Sequence, residues 1–200
     1  MKRAGTHAGA RGSRLTSSPY IGGVQVRRGT SRDFAVVRAL METVAAEAMW
    51  IGSEAPVRWT PERREAWTTR ADDETAGALF VAEKGEELLG YLMLTRDPFG
   101  HAELSMALAP DARGQGIGGR LLDAAVDWCR ERSLIKLDCQ VWPHNGAALA
   151  LYRSRGFAVE GRQRRHWRRR NGQLWDGILM GLVLDETSPG SPLPDADLAG

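Results

Sequence analysis

Two stretches of this 200-residue sequence bring together residue types that can do chemistry. The first is Arg113-Gly114-Gln115-Gly116-Ile117-Gly118-Gly119, set between a strand-like segment ending at Pro110 and a strongly amphipathic helical pattern. Glycines let a backbone approach a ligand closely and adopt positive φ. The first turn of the following helix offers unpaired N–H groups and the positive end of its dipole, so an anion such as a diphosphate is its natural guest. The second stretch runs from Asn145 to Phe157. Asn145 and Tyr152 stand about two helical turns apart and share a face, with the small Ala148 between them. A ligand chain could lie against that face; a helix-capping Asn and a core Tyr would use the same residues structurally.

The glycine spacing also satisfies the dinucleotide pattern Gly-x-Gly-x-x-Gly at Gly114, Gly116 and Gly119, with Asp138 roughly where a ribose-binding acid belongs. The context argues against it. Ala102 to Leu108 alternates polar and apolar residues, unlike a doubly buried parallel strand. Asp138 falls inside a strand-like segment, and the chain after Gly119 is too short for the remaining strands of a dinucleotide fold.

The elements that must position these stretches follow in order. Val24 to Arg28 reads as a strand, and Thr30 or Ser31 as the cap of a helix from about Asp33 to Met49. Thr60 and Pro61 open a second helix ending near Arg70. Ala78 to Glu83 and Leu88 to Thr95 form a hairpin about Lys84 and Gly85, and a turn at Asp97 to Gly100 leads into Ala102 to Leu108. Three sequential antiparallel strands result. Ile117, Leu121, Leu122, Ala125, Val126 and Cys129 recur at helical spacing, which predicts a helix to about Arg132. Leu134 to Val141 is a further strand and Ala147 to Arg155 a short helix stopped by Gly156. Phe157 to Leu184 folds back as a long hairpin at Asn171-Gly172.

Composition narrows the class. A formal net charge of +2 does not demand nucleic acid as partner. Cys129 and Cys139 lack metal-ligand spacing and read as buried free thiols in a reducing compartment, so no metal is expected. No apolar run approaches the roughly 20 residues that span a bilayer, and the basic N-terminus lacks the apolar core of a secretory signal. The expectation is a cytoplasmic protein with no membrane partner: a disordered leader over 1–23, one domain over 24–184 and a disordered tail over 185–200.

Together the two stretches resemble the GNAT superfamily of acyl-coenzyme A dependent N-acetyltransferases, over roughly Val24 to Leu184. Arg113 to Gly118 is similar to the family's pyrophosphate loop, and Asn145 through Tyr152 to Gly156-Phe157 to its second signature. The resemblance implies an α/β single domain with a mixed, largely antiparallel sheet of about six to seven strands and about four flanking helices. It implies acetyl-coenzyme A as co-substrate, held by Arg113, Gly114, Gln115, Gly116, Ile117, Gly118 and Gly119, by the backbone of Met106, Ala107 and Leu108 in a gap between two strands, and by Asn145, Ala148, Leu151 and Tyr152. Arg155 is expected to meet its nucleotide phosphate.

The catalytic role of Tyr152 follows from the same resemblance. Tyr152 matches the general acid for the departing thiolate, or else packs and positions the thioester. Glu103, on the strand leading into the loop, is the candidate base or water-relay carboxylate, or else a solvated acid. His144 and His101 read as bystanders. The acceptor implied is a primary amine: a small amine, polyamine, amino acid or protein N-terminus. A homodimer is the expected assembly. The arginine-dense Gly161 to Gly172 reads as a solvated hairpin; a second reading makes the chain a non-catalytic module that senses the coenzyme, or one that docks on nucleic acid or the ribosome.

Overall fold

The computed structural model describes residues 23–185, so the expected leader and tail lie outside the described residues except for Gly23 and Asp185. Its main elements are β1 (Gln25–Gly29), α1 (Phe34–Ala46), α2 (Pro61–Asp72), β2 (Gly77–Lys84), β3 (Glu87–Arg96), β4 (His101–Leu108), α3 (Ile117–Glu131), β5 (Lys136–Val141), α4 (Gly146–Ser154), β6 (Ala158–Arg168) and β7 (Leu174–Val183). The seven strands form one sheet in the order β1-β2-β3-β4-β5-β7-β6. Only β4 and β5 pair in parallel, and α3 is the crossover such a pair requires.

Strand alternation builds a core on each face. Phe80, Leu92, Leu94 and Leu104 point one way, onto Leu121, Leu122 and Ala125 of α3. Leu79, Val81, Tyr91 and Met93 point the other way, onto Val37, Leu40 and Val44 of α1 and Trp67 of α2. The central strands β2 and β3 are therefore covered on both sides. β4 alternates buried and exposed residues, as its sequence predicts, because Glu103 and Ser105 project beyond the reach of the first helix pair.

Among the element ends that differ from the sequence expectation, three are decided by a local contact. Helix α1 stops at Ala46, short of Met49, because Ala48 takes φ 55° and Glu47 turns its carboxylate to Trp50 and Arg113. Helix α2 runs past Arg70 to Asp72, whose carboxylate accepts from Ser31 N at 2.8 Å. Strand β5 begins at Lys136, not Leu134, because Ser133 at φ 53° closes α3 and Leu134 N donates back to Cys129 O at 3.0 Å. The predicted hairpin turns hold, with Gly85 and Gly172 at φ 61° and 85°.

Both cysteines are free and buried, and desolvation pushes each thiol up to about 12. A thiol kept protonated and shielded does not react. A neutral alkylating reagent at pH 8 is therefore expected to leave both unmodified in the folded protein and to label both in denaturant; stoichiometric labelling of the native protein would contradict this packing.

Candidate active site

The site begins where the sheet comes apart. β4 and β5 pair at His101↔Lys136, Ala102↔Leu137 and Glu103↔Asp138, and then separate, although β4 continues to Leu108 and β5 to Val141. Each strand is held by its other neighbour: Leu108 stays opposite Gly90 of β3, and Val141 opposite Ile178 of β7. At the two ends of β4, Asp97 N donates to His101 O and Ala109 N to Leu89 O, both near 3.0 Å. Antiparallel alternation then turns the backbone of Ala107 toward β3, and that of Met106 and Leu108 into the gap. These are main-chain groups with capacity to spare, which a polar ligand can satisfy.

The glycine loop closes one end of the gap. Gly114 and Gly116 sit at φ 74° and 76°, conformations that L side chains rarely adopt. Gly116 caps α3 without a side-chain hydrogen bond, so the first-turn N–H groups point outward unpaired. Gly118 acts sterically instead: a Cβ there would stand 3.1 Å from Leu151 Cδ2 and 3.4 Å from Leu108 Cδ1.

Helix α4 forms the opposite wall. Asn145 Oδ1 accepts from Ala148 N at 3.1 Å, so its capping function is real, and the residue also faces the gap. Tyr152 packs its ring 5.3 Å from Phe157, and burial raises the phenol well above its ordinary value. Among the described residues its hydroxyl has no hydrogen-bond partner.

A single cleft of about 570 Å³ joins these parts. It runs from the glycine loop through the gap to the opposite face of the sheet, where Glu103, Ser105, Gln140, Trp50, Trp142 and Trp167 line it. Met106, Ala107, Leu108, Arg113, Gly114, Gly116, Ile117, Gly118, Gly119, Asn145, Ala148, Leu151, Tyr152 and Glu103 all reach this one space. Gln115 and Arg155 do not. Gln115 Nε2 turns back to Asp111 O at 2.5 Å, and Arg155 is drawn to Asp123 at 3.0 Å, its guanidinium lying over Gly119 where a Cβ would stand 2.5 Å away.

The arginine-rich hairpin holds a residue that sequence reading missed. Arg169, at the hairpin turn, is only 4% exposed, far from the solvated arginine expected there. Its guanidinium donates to Ala48 O and Gly52 O at 3.3 and 3.2 Å, meets Glu54 at 3.4 Å, and stacks 4.4 Å from the Trp175 ring. It thereby fixes the segment after α1 against the hairpin, and with it the far wall of the cleft. Local sequence carries no signal for a carbonyl partner 117 residues away. His144 lies outside the cleft, with Nε2 2.9 Å from Met49 O and its ring against Trp175. Among the described residues no group of three or more His, Cys, Asp or Glu side chains could hold a metal ion, and no helix is long and apolar enough to cross a membrane.

Comparison with known proteins agrees with this geometry. Residues 39–157 match the model of the acetyltransferase (GNAT) family. The N-alpha-acetyltransferase RimI of Mycobacterium tuberculosis is 37% identical over 91 residues, which cover 44% of this chain and 56% of that protein. The L-methionine sulfoximine/L-methionine sulfone acetyltransferase of Pseudomonas paraeruginosa is 27% identical over 81% of this chain and 95% of its own length. A phosphinothricin acetyltransferase from Sinorhizobium meliloti, solved in complex with acetyl-coenzyme A, superposes with a TM-score of 0.72 over 88% of this chain and 96% of that one; at 20% identity this likeness concerns the fold. With a matching family model over more than half its length, an open strand edge and a glycine-capped helix start, the chain belongs to the GNAT family of acetyltransferases.

Proposed function

We propose that the chain moves the acetyl group of acetyl-coenzyme A directly onto a primary amine. One observation carries this reading: a single cleft joins the glycine-capped start of α3 to an acid- and tryptophan-lined space on the other face of the sheet. The residues present fit the coenzyme. A helix start without a side-chain cap suits its diphosphate, and an unpaired strand edge suits an extended arm that carries amides.

When bound, the coenzyme supplies a thioester carbonyl open to nucleophilic attack. The chain's own residues do the remainder. The first-turn N–H groups of Ile117, Gly118 and Gly119 receive the diphosphate, and the main chain of Met106 and Leu108 aligns the arm. Gly118 keeps the passage beside Leu151 open. On the opposite face Glu103 attracts the acceptor as an ammonium, flanked by the indoles of Trp142 and Trp167, whose faces favour cations. An amine attacks only after losing its proton, so Glu103 takes that proton, directly or through water.

Tyr152 donates its phenolic proton to the departing sulfur. Burial keeps the phenol neutral across the working range, and the same dry surroundings raise the basicity of a thiolate beside it. A relay through Cys139 is disfavoured, because its shielded thiol stays protonated. Transfer without a covalent enzyme intermediate follows. The acceptor is a small amine, polyamine, amino acid or protein N-terminus; the relatives named as an N-alpha-acetyltransferase and as an L-methionine sulfoximine/L-methionine sulfone acetyltransferase support an amine acceptor within that range.

Calorimetric titration should give saturable binding of acetyl-coenzyme A and none of NAD or ATP. Gly116→Val, which forces a β-branched residue to φ 76°, should weaken that binding about ten-fold or more. NAD binding in place of the coenzyme would overturn the reading. Tyr152→Phe should lower kcat about 100-fold in a free-thiol release assay while acetyl-coenzyme A affinity stays within about two-fold. Unchanged kcat would remove Tyr152 from proton transfer.

A further inference from the structure

Arg113 opens the glycine loop, yet its guanidinium is committed elsewhere. Nη1 and Nη2 donate to the two carboxylate oxygens of Glu47 at 2.8 and 2.6 Å, a two-pronged pair. Nη2 also lies 3.3 Å from Leu108 O, at the open edge of β4. Glu47 in turn accepts the indole N–H of Trp50 at 2.7 Å, and the Arg113 guanidinium lies 5.6 Å from the centre of that indole. Trp50 lines the far half of the cleft. Four groups are thus joined in one network that reaches from the coenzyme loop to the wall of the acceptor space.

The ion pair is a defined arrangement and not one of several surface options. Each side chain is only about a third exposed. Arg113 and the Trp50 N–H hold the Glu47 carboxyl below its ordinary value. The segment after α1 has broken from helical geometry at Ala48, so helical hydrogen bonding does not set the direction of Trp50. Glu47 sets it.

We propose that Glu47 and Arg113 are positioning residues for the acceptor: the Arg113–Glu47–Trp50 clasp holds the indole wall against the open end of β4, and the Arg113 side chain serves this clasp instead of the coenzyme diphosphate. The proposal rests on the reading of the cleft as joined donor and acceptor halves. It carries a sign that a phosphate-binding arginine would not. Removing the Glu47 charge loosens the acceptor wall, yet frees a cation beside the coenzyme loop.

The test compares Glu47→Gln, Arg113→Gln and the double variant with the parent. The acceptor is whichever of L-methionine sulfone, spermidine or a peptide with N-terminal alanine the parent acetylates fastest. Each single variant should raise the amine KM about ten-fold, and the double variant no more than either single, since both changes break one network. The Kd for acetyl-coenzyme A should stay within about two-fold of the parent, or tighten in Glu47→Gln. Glu47→Asp, which keeps the carboxylate, should recover part of the loss. Weakened coenzyme binding in Arg113→Gln with an unchanged amine KM in Glu47→Gln would overturn the proposal, as would additive effects in the double variant. An independent readout is the Trp50 indole proton in nuclear magnetic resonance, which should exchange slowly in the parent and rapidly in Glu47→Gln. If the parent acetylates none of the three amines, that failure falls on the proposed acceptor; the indole proton still decides the clasp, and equal exchange in both proteins would overturn it.

Discussion

The rest of the molecule depends on a strand that cannot keep both of its neighbours. β4 is bonded to β3 along its full length, while β5 is bonded to β7 along its own, and the two diverge after Glu103↔Asp138. A buried backbone edge with unused hydrogen-bonding groups is costly unless something satisfies it. In this chain the cost is offset by exposure to a cleft, and a ligand that presents amides can occupy that edge. The cores on the two faces make the separation permanent. Leu104 packs on the α3 side and Ala107 on the α1 side, so β4 cannot swing toward β5 without emptying one of them.

The elements around the gap make sense as supports for its two mouths. On one face α3 begins at a glycine that leaves its first-turn N–H groups free, and α4 is aligned by Asn145 so that Ala148, Leu151 and Tyr152 face the same space. On the other face neither α1 nor α2 reaches Glu103, and the wall is built from the irregular segment after α1 and from the terminal hairpin. Irregular chain holds no shape by itself. Guanidinium groups give it one: Arg169 gathers the carbonyls of Ala48 and Gly52 and meets Glu54 from the hairpin side, Arg170 holds those of Ala55 and Pro56, and Arg113 grips Glu47 from the loop side. The two mouths therefore share their supports.

The glycine-loop end of the cleft was legible in the sequence because its determinants are local. Glycines at 114 and 116, the apolar period from Ile117, and the capping Asn145 each act within a few residues of their own position, and the element order followed from alternation and turn residues. The far wall of the cleft was not legible for the complementary reason. Arg169 owes its burial to carbonyls more than a hundred residues away, and Glu47 owes its orientation to Arg113, 66 residues on. Neither partner leaves a periodic trace. Arg155 shows the same limit from the other side: it sits next to the signature helix in sequence, but Asp123 of α3 takes its charge. Fold and glycine-loop motifs are carried by short-range rules; the far wall of the cleft is carried by long-range polar contacts, which only the folded chain reveals.

Amide hydrogen exchange tests most directly whether the open edge of β4 and the start of α3 form one binding surface. With saturating acetyl-coenzyme A, exchange should slow at Met106, Leu108 and residues 117–119, while Ala107, already bonded to β3 opposite Tyr91, should change little. Protection confined to other segments, or equal exchange at Met106 and Leu108 with and without the coenzyme, would contradict the account.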